Sequence, residues 1–123
     1  MHVLVNDITL NLLDDGPKDA PAVVFAHPLG TNMRIWDAVF DYLPKSLRLI
    51  RYDARGHGAS DVTTAPYRMG QLVSDAEHLL DHLNIKDCVF VGAGLGGLIA
   101  QGLAVKRLDQ IRAMALCGTA AKL

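Results

Sequence analysis

The 123-residue chain is poor in several features, and each shortage excludes a class of protein. Basic charge is not in excess: 12 Lys and Arg stand against 13 Asp and Glu, a formal net charge of −1. With nothing to compensate a phosphate backbone, nucleic acid is not an expected partner. Cysteine is scarce. The two present, Cys88 and Cys117, each lie in an apolar run. They make no disulfide framework and are expected as reduced core thiols of a cytoplasmic protein. The start, Met1-His2-Val3-Leu4-Val5-Asn6-Asp7, lacks the basic stretch and apolar run of a secretory signal. Every apolar segment is interrupted well before the ~18 residues of a membrane span, so no membrane partner is expected. Repeats, low-complexity tracts and linkers are also missing, and the length suits one domain. Apolar residues, by contrast, are plentiful. At 50% of the chain they suffice for a packed core and are too many for a disordered one.

Their arrangement alternates between two periods. Residues 2–5 and 8–13 alternate apolar and polar positions about Asn6-Asp7, a hairpin signal, and Asp14-Asp15-Gly16-Pro17 ends the second arm. Ala22-Val23-Val24-Phe25-Ala26 is a continuous apolar run, as expected of a strand buried on both faces. Helical spacing over residues 33–43 puts Ile35, Val39, Tyr42 and Leu43 on one face, with Pro44 as terminator. Residues 47–52 read as a strand and Arg55-Gly56-His57-Gly58 as the loop leaving it. A second helix is predicted over 69–83, where Leu72, Ala76, Leu79, Leu80 and Leu83 share a face. Strands at 88–91 and 111–117 flank a third helix at 95–106. This alternation implies an α/β fold with an antiparallel hairpin leading into a mostly parallel sheet, helices on both faces. The last strand, apolar and at a sheet edge, invites a second copy or further C-terminal polypeptide.

The segment Gly92-Ala93-Gly94-Leu95-Gly96-Gly97 joins a strand to a helix and admits two chemical readings besides a plain turn. Gly92, Gly94 and Gly97 fit the G-x-G-x-x-G dinucleotide fingerprint, which would make the chain a Rossmann-like nucleotide binder. That fingerprint needs an acidic residue about 20 positions on, and it ordinarily follows the first strand. Here the next strand ends Leu116-Cys117-Gly118-Thr119-Ala120, without a carboxylate. The other reading is a G-x-S-x-G nucleophile elbow with Gly94 at the serine position. In it Gly92 and Gly96 let strand and helix approach closely, and Gly97, Ala100 and Ala104 keep the helix near the sheet.

Further stretches bear on the choice. They are Val24-Phe25-Ala26-His27-Pro28-Leu29-Gly30-Thr31 with Trp36-Asp37, Leu49 through Ser60, Gln71-Leu72 with Asp75, Phe90 through Gln101, and Leu116 through Lys122. In this order and spacing, over nearly its whole length, the chain resembles the N-terminal half of α/β-hydrolase-fold enzymes, and most of all the 3-oxoadipate enol-lactonases. The resemblance implies a single partial hydrolase core over residues 1–123, with the cap and C-terminal strands absent. It implies hydrolysis of a small carboxylic ester or lactone in aromatic catabolism, without metal or organic cofactor. A serine would attack the carbonyl, a histidine held by an acid would take its proton, and two backbone amides would hold the oxyanion.

Only part of that apparatus is expected in this chain. Leu29, after the N–H-less Pro28, and Leu95, at a helix N-terminus, are the implied oxyanion donors. Trp36 is expected to line apolar surface where substrate binds. Gly94 stands at the nucleophile position without a hydroxyl, and the acid and histidine would follow residue 123. Little or no hydrolysis is therefore expected, and a ligand-binding or interaction module on a hydrolase scaffold is the alternative. Of the five histidines, His27 and His57 are expected to orient backbone, and His78 and His82 to lie on a solvated helix face. Ser60 reads as a turn or cap residue, and Asp53 with Arg55 as a structural ion pair or hydrogen-bond bracket rather than a catalytic pair. No metal site is expected.

Overall fold

A computed structural model describes residues 1–64 and 67–118. Its centre is one six-stranded sheet, built from β1 (His2–Val5), β2 (Ile8–Asp15), β3 (Ala22–Ala26), β4 (Arg48–Tyr52), β5 (Cys88–Ala93) and β6 (Ile111–Cys117). Spatial order is β1-β2-β4-β3-β5-β6, antiparallel among the first three and parallel thereafter. The hairpin closes as predicted, with Asn6 and Asp7 both at positive φ, 49° and 65°. That is the backbone a tight primed turn demands, and short side chains that bond locally tolerate it best.

β3 occupies the middle, with Val24, Phe25 and Ala26 all buried. Crossing from β3 the chain goes first to β4 on one side, then passes back over β3 through α2 (Met69–His82) to β5 on the other. The ends of β3 and β5, paired through Ala26 and Gly92, therefore flank the point where the winding reverses direction. Open α/β sheets form ligand crevices at such a point.

α2 and α3 (Leu95–Lys106) cover one face of the sheet. Leu72, Ala76, Leu79 and Leu80 of α2 and Ile99, Ala100 and Leu103 of α3 pack with Val24, Ile50 and Phe90 into the larger core. On the opposite face lies a smaller cluster of Phe25, Trp36, Phe40 and Leu49.

That second cluster corrects the helix predicted over 33–43. The segment forms a 3₁₀ turn, Met33–Trp36, followed by a single-turn α1, Asp37–Phe40. Met33, Trp36 and Phe40 are buried, while Ile35, Val39 and Tyr42 are exposed, Tyr42 to 89%. Both sets obey helical spacing. The aromatic set wins because the Phe25 ring meets Trp36 at 5.2 Å and Phe40 at 4.9 Å between centroids, both tilted. Rings of that size remove more apolar area and gain favourable edge-to-face geometry.

β6 forms as predicted, but only Ile111 within it is buried. Met114 and Leu116 are 40% and 41% exposed, and Cys117 is exposed rather than a core thiol. Cys88 is buried as expected, and burial above all pushes its thiol up to about 12. No helix is long and apolar enough to cross a membrane among the described residues.

Candidate functional site

The turn from β5 into α3 is abrupt. Gly94, the residue before the helix, has φ 54° and ψ −118°, a conformation open chiefly to glycine. Its N–H donates to the Cys117 carbonyl at 3.0 Å, and its own carbonyl accepts from Gly97 at 3.0 Å and Leu98 at 3.3 Å. The flanking glycines are required by contact. A Cβ at 92 would lie 2.3 Å from the Gly96 oxygen, and one at 96 would lie 2.1 Å from the Ala26 oxygen. Strand β3, strand β5 and helix α3 thus meet backbone to backbone. Position 94 differs: a Cβ there would stand 3.2 Å from Pro28 Cβ and 3.5 Å from Pro28 Cα. Whatever residue occupies 94 is aimed at the loop that leaves β3.

The amides of that loop can be accounted for singly. Pro28 has none. Gly30, at φ 78°, donates its N–H to His57 Nε2 at 3.0 Å. Thr31 N–H donates to the Pro28 carbonyl at 3.2 Å. Among the described residues the Leu29 N–H meets no acceptor, and the same holds for Leu95 N–H, at the first position of α3. These are the two amides to which the sequence reading assigns an oxyanion. Leu29 itself is 71% exposed. Trp36 is buried against Phe25, with its indole Nε1 unpartnered among the described residues.

The loop leaving β4 supplies the second wall. His27, buried after β3, accepts the Ala54 N–H on Nε2 at 2.9 Å and donates from Nδ1 to the Pro28 carbonyl at 2.8 Å. His57 accepts from Gly30 on Nε2 and donates from Nδ1 to the Arg55 carbonyl at 3.0 Å. These partners assign both rings as neutral Nδ1–H tautomers. Burial above all holds the His27 pKa below its usual value, with the neighbouring His57 ring adding to the effect. Both imidazoles orient backbone, as expected, and neither has an unoccupied ring acceptor with which to take a proton.

Asp53 is a hydrogen-bonding hub, and of the two structural roles expected for it the ion pair with Arg55 does not form. Rather than pairing with Arg55, its carboxylate accepts from Met33 N–H at 2.8 Å, Ala59 N–H at 2.9 Å and Asn11 Nδ2 at 3.0 Å. Burial opposes its charge, but these donors outweigh burial and lower its pKa overall. Arg55 instead grips Asp75 of α2 through Nε and Nη2, both at 2.9 Å, and both residues are buried. Asn6 Nδ2 adds a donor to Asp75 at 2.8 Å. The signal for Asp53 lay in Gly58, at φ 50°, because a Cβ there would fall 2.3 Å from the Asp53 carboxyl carbon. Ser60 ties the same turn down, donating from Oγ to the Asp53 carbonyl at 2.6 Å and accepting from Asn11 N–H at 2.8 Å. His78 bonds within α2, donating from Nδ1 to the Ser74 carbonyl at 2.7 Å. No group of residues suited to hold a metal occurs among those described.

Known proteins repeat this architecture. 3-Oxoadipate enol-lactonase 2 of Acinetobacter baylyi is 40% identical over 117 residues, which is 95% of this chain and 44% of the relative. 3-Oxoadipate enol-lactonase 1 of the same organism is 37% identical over 117 residues, 94% of this chain and 43% of the relative. The crystal structure of the enol-lactonase from Burkholderia xenovorans superimposes with a TM-score of 0.93 at 38% identity, over 98% of this chain and 47% of that one. The chain therefore spans less than half the length of these relatives. The family model described as alpha/beta hydrolase fold matches residues 21–123, and the chain belongs to that family.

Proposed function

We propose that this chain provides the carbonyl-holding part of a hydrolase site for a small-molecule ester or lactone, related to that of the 3-oxoadipate enol-lactonases. In this reading a carbonyl oxygen enters the crevice between residues 27–30 and the turn at 94–95. It accepts from Leu29 N–H and from Leu95 N–H, the latter at the positive end of α3. Trp36 is held against Phe25 of β3, the strand that leads into that loop. The observation that carries the reading is the conformation of Gly94, with φ 54° and its side-chain direction aimed at Pro28. That conformation supports reading the turn as a nucleophile elbow that carries no nucleophile.

Without a hydroxyl at 94 there is no acyl-enzyme, and the ring acceptors of His27 and His57 are committed to backbone amides. The chain itself is therefore expected to bind and not to turn over. A p-nitrophenyl ester or an enol-lactone should hydrolyse at the background rate in its presence, and turnover well above background would overturn this. Gly94 favours a second, related reading, a non-catalytic ligand-binding module on the same scaffold. Calorimetry with a lactone, a carboxylate and NAD distinguishes these readings from nucleotide binding. Heat with NAD alone would defeat both hydrolase-scaffold readings.

We also place the protein in the cytoplasm and read residues 1–123 as one partial core. The exposed apolar edge of β6 supports pairing with further polypeptide of the kind its relatives carry beyond the matched half. A homodimer through 111–117 is the competing arrangement, and light scattering separates the two.

A further inference from the structure

The two histidines of the site are linked in a way that the proposed function does not use. His27 belongs to the loop after β3 and accepts an N–H from the loop after β4, that of Ala54. His57 belongs to the loop after β4 and accepts an N–H from the loop after β3, that of Gly30. Each ring is set in its tautomer by a carbonyl of its own loop, Pro28 for His27 and Arg55 for His57. The rings lie 4.9 Å apart between centroids. The arrangement is a reciprocal clasp across the mouth of the crevice.

We propose that His57 is the positioning residue of the loop at 27–30, and that with His27 it clasps the two loops only while both rings are uncharged. Taking the Gly30 N–H fixes the peptide plane next to Leu29, and leaves Leu29 as the amide available to a ligand. The inference rests on the carbonyl-holding role proposed for that loop. A proton on Nε2 of either ring converts an acceptor into a donor facing another N–H, so the bond across the loops is replaced by repulsion. Of the charged and titratable groups around the clasp, Asp53 lies near enough to favour charge on His27, but among the described residues none bonds to either ring nitrogen. Asp53 is turned to Met33, Ala59 and Asn11, and the Arg55 guanidinium is turned to Asp75. Tyr67 packs at Gly56 and bonds to Thr63, while His2 bonds to the Ala59 carbonyl. His57 is half-buried, so a proton reaches it from solvent, whereas His27 is buried.

Nitrogen-15 spectra and amide exchange of the whole chain test the clasp without any ligand, so the result stands apart from lactone binding. At neutral pH both rings should show a bare Nε2 and a protonated Nδ1. His57→Ala should speed exchange of the Gly30 amide by about fivefold to tenfold, the loss of one hydrogen bond. His57→Gln, whose side-chain oxygen can accept in place of Nε2, should restore protection to within about twofold. The Met33 and Ala59 amides, held by Asp53, should not change in either variant. On acidification the Gly30 and Ala54 amide shifts should move with the ring protonation, and in His57→Gln the Gly30 shift should no longer do so. Unchanged Gly30 exchange in His57→Ala, or a protonated Nε2 at neutral pH, overturns the proposal. Should His57→Ala not fold, the ring spectrum and the pH response of His57→Gln decide the matter in the same sense.

Discussion

Three glycines of the site differ in what a methyl group would meet, and alanine substitution should rank them. At Gly30 nothing among the described residues lies within 4 Å of the added Cβ, so the backbone at φ 78° is what resists. That strain costs about 1–2 kcal/mol, partly offset by the ~0.4–1 kcal/mol that alanine removes from the freedom of the unfolded chain. At Gly94 the strain at φ 54° is joined by Pro28 Cβ at 3.2 Å, a contact that closes if the loop yields by a few tenths of an ångström. A loss of about 1–3 kcal/mol is expected there. At Gly96 the Cβ would lie 2.1 Å from the Ala26 oxygen and 2.5 Å from its carbon, both backbone atoms of a central strand. Only displacement of α3 from the sheet makes room, so the cost should exceed about 3 kcal/mol and the variant should be largely unfolded. Urea unfolding followed by circular dichroism, with the slope held common, reads the series as midpoints. The expected order of stability is Gly30→Ala, then Gly94→Ala, then Gly96→Ala. If Gly94→Ala proves as damaging as Gly96→Ala, position 94 is not directed into the gap against Pro28 and the reading of the crevice fails.

Other outcomes follow from the same contacts. Asp75→Ala should cost about 3–5 kcal/mol in urea unfolding, since it strands the buried Arg55 guanidinium. Asp53 has a folded pKa below its unfolded value, so its contribution to stability is present above the ordinary carboxylate range and lost as pH falls through the folded value. The urea midpoint should therefore drop on acidification, and less steeply in Asp53→Asn. For His27, also lowered, the unfolded chain binds the proton first. Stability should begin to fall as pH passes below the usual imidazole value of about 6.5, and that early limb should shrink in His27→Gln. Iodoacetamide should label exposed Cys117 well before Cys88, whose buried thiol sits at about 12, and mass spectrometry of a short reaction checks the order.

Much of the fold was legible in the amino-acid order because it is set by neighbours in the chain. Asn6-Asp7 encodes its own turn, the unbroken run 22–26 announces a strand buried on both faces, and Leu95 to Lys106 forms the predicted helix to the residue. The glycines at 92 and 96 marked the site for the same reason, since a Cβ at either would meet backbone, and Gly94 marked it through its positive φ. What the tertiary structure alone decided is the choice among equivalent local patterns. Residues 33–43 offered two apolar faces, and the Phe25 ring, brought over them by β3, selected Met33, Trp36 and Phe40. Arg55 had an acid two residues away and took one 20 residues away, because backbone amides had already claimed Asp53. The apolar run at 111–117 became an exposed edge because no described strand lies beyond β6. Local chemistry settles what each segment can be. Which partner it takes depends on strand order, and only the sequence β4-β3-β5 across the sheet carries His27, His57 and Gly94 to one rim.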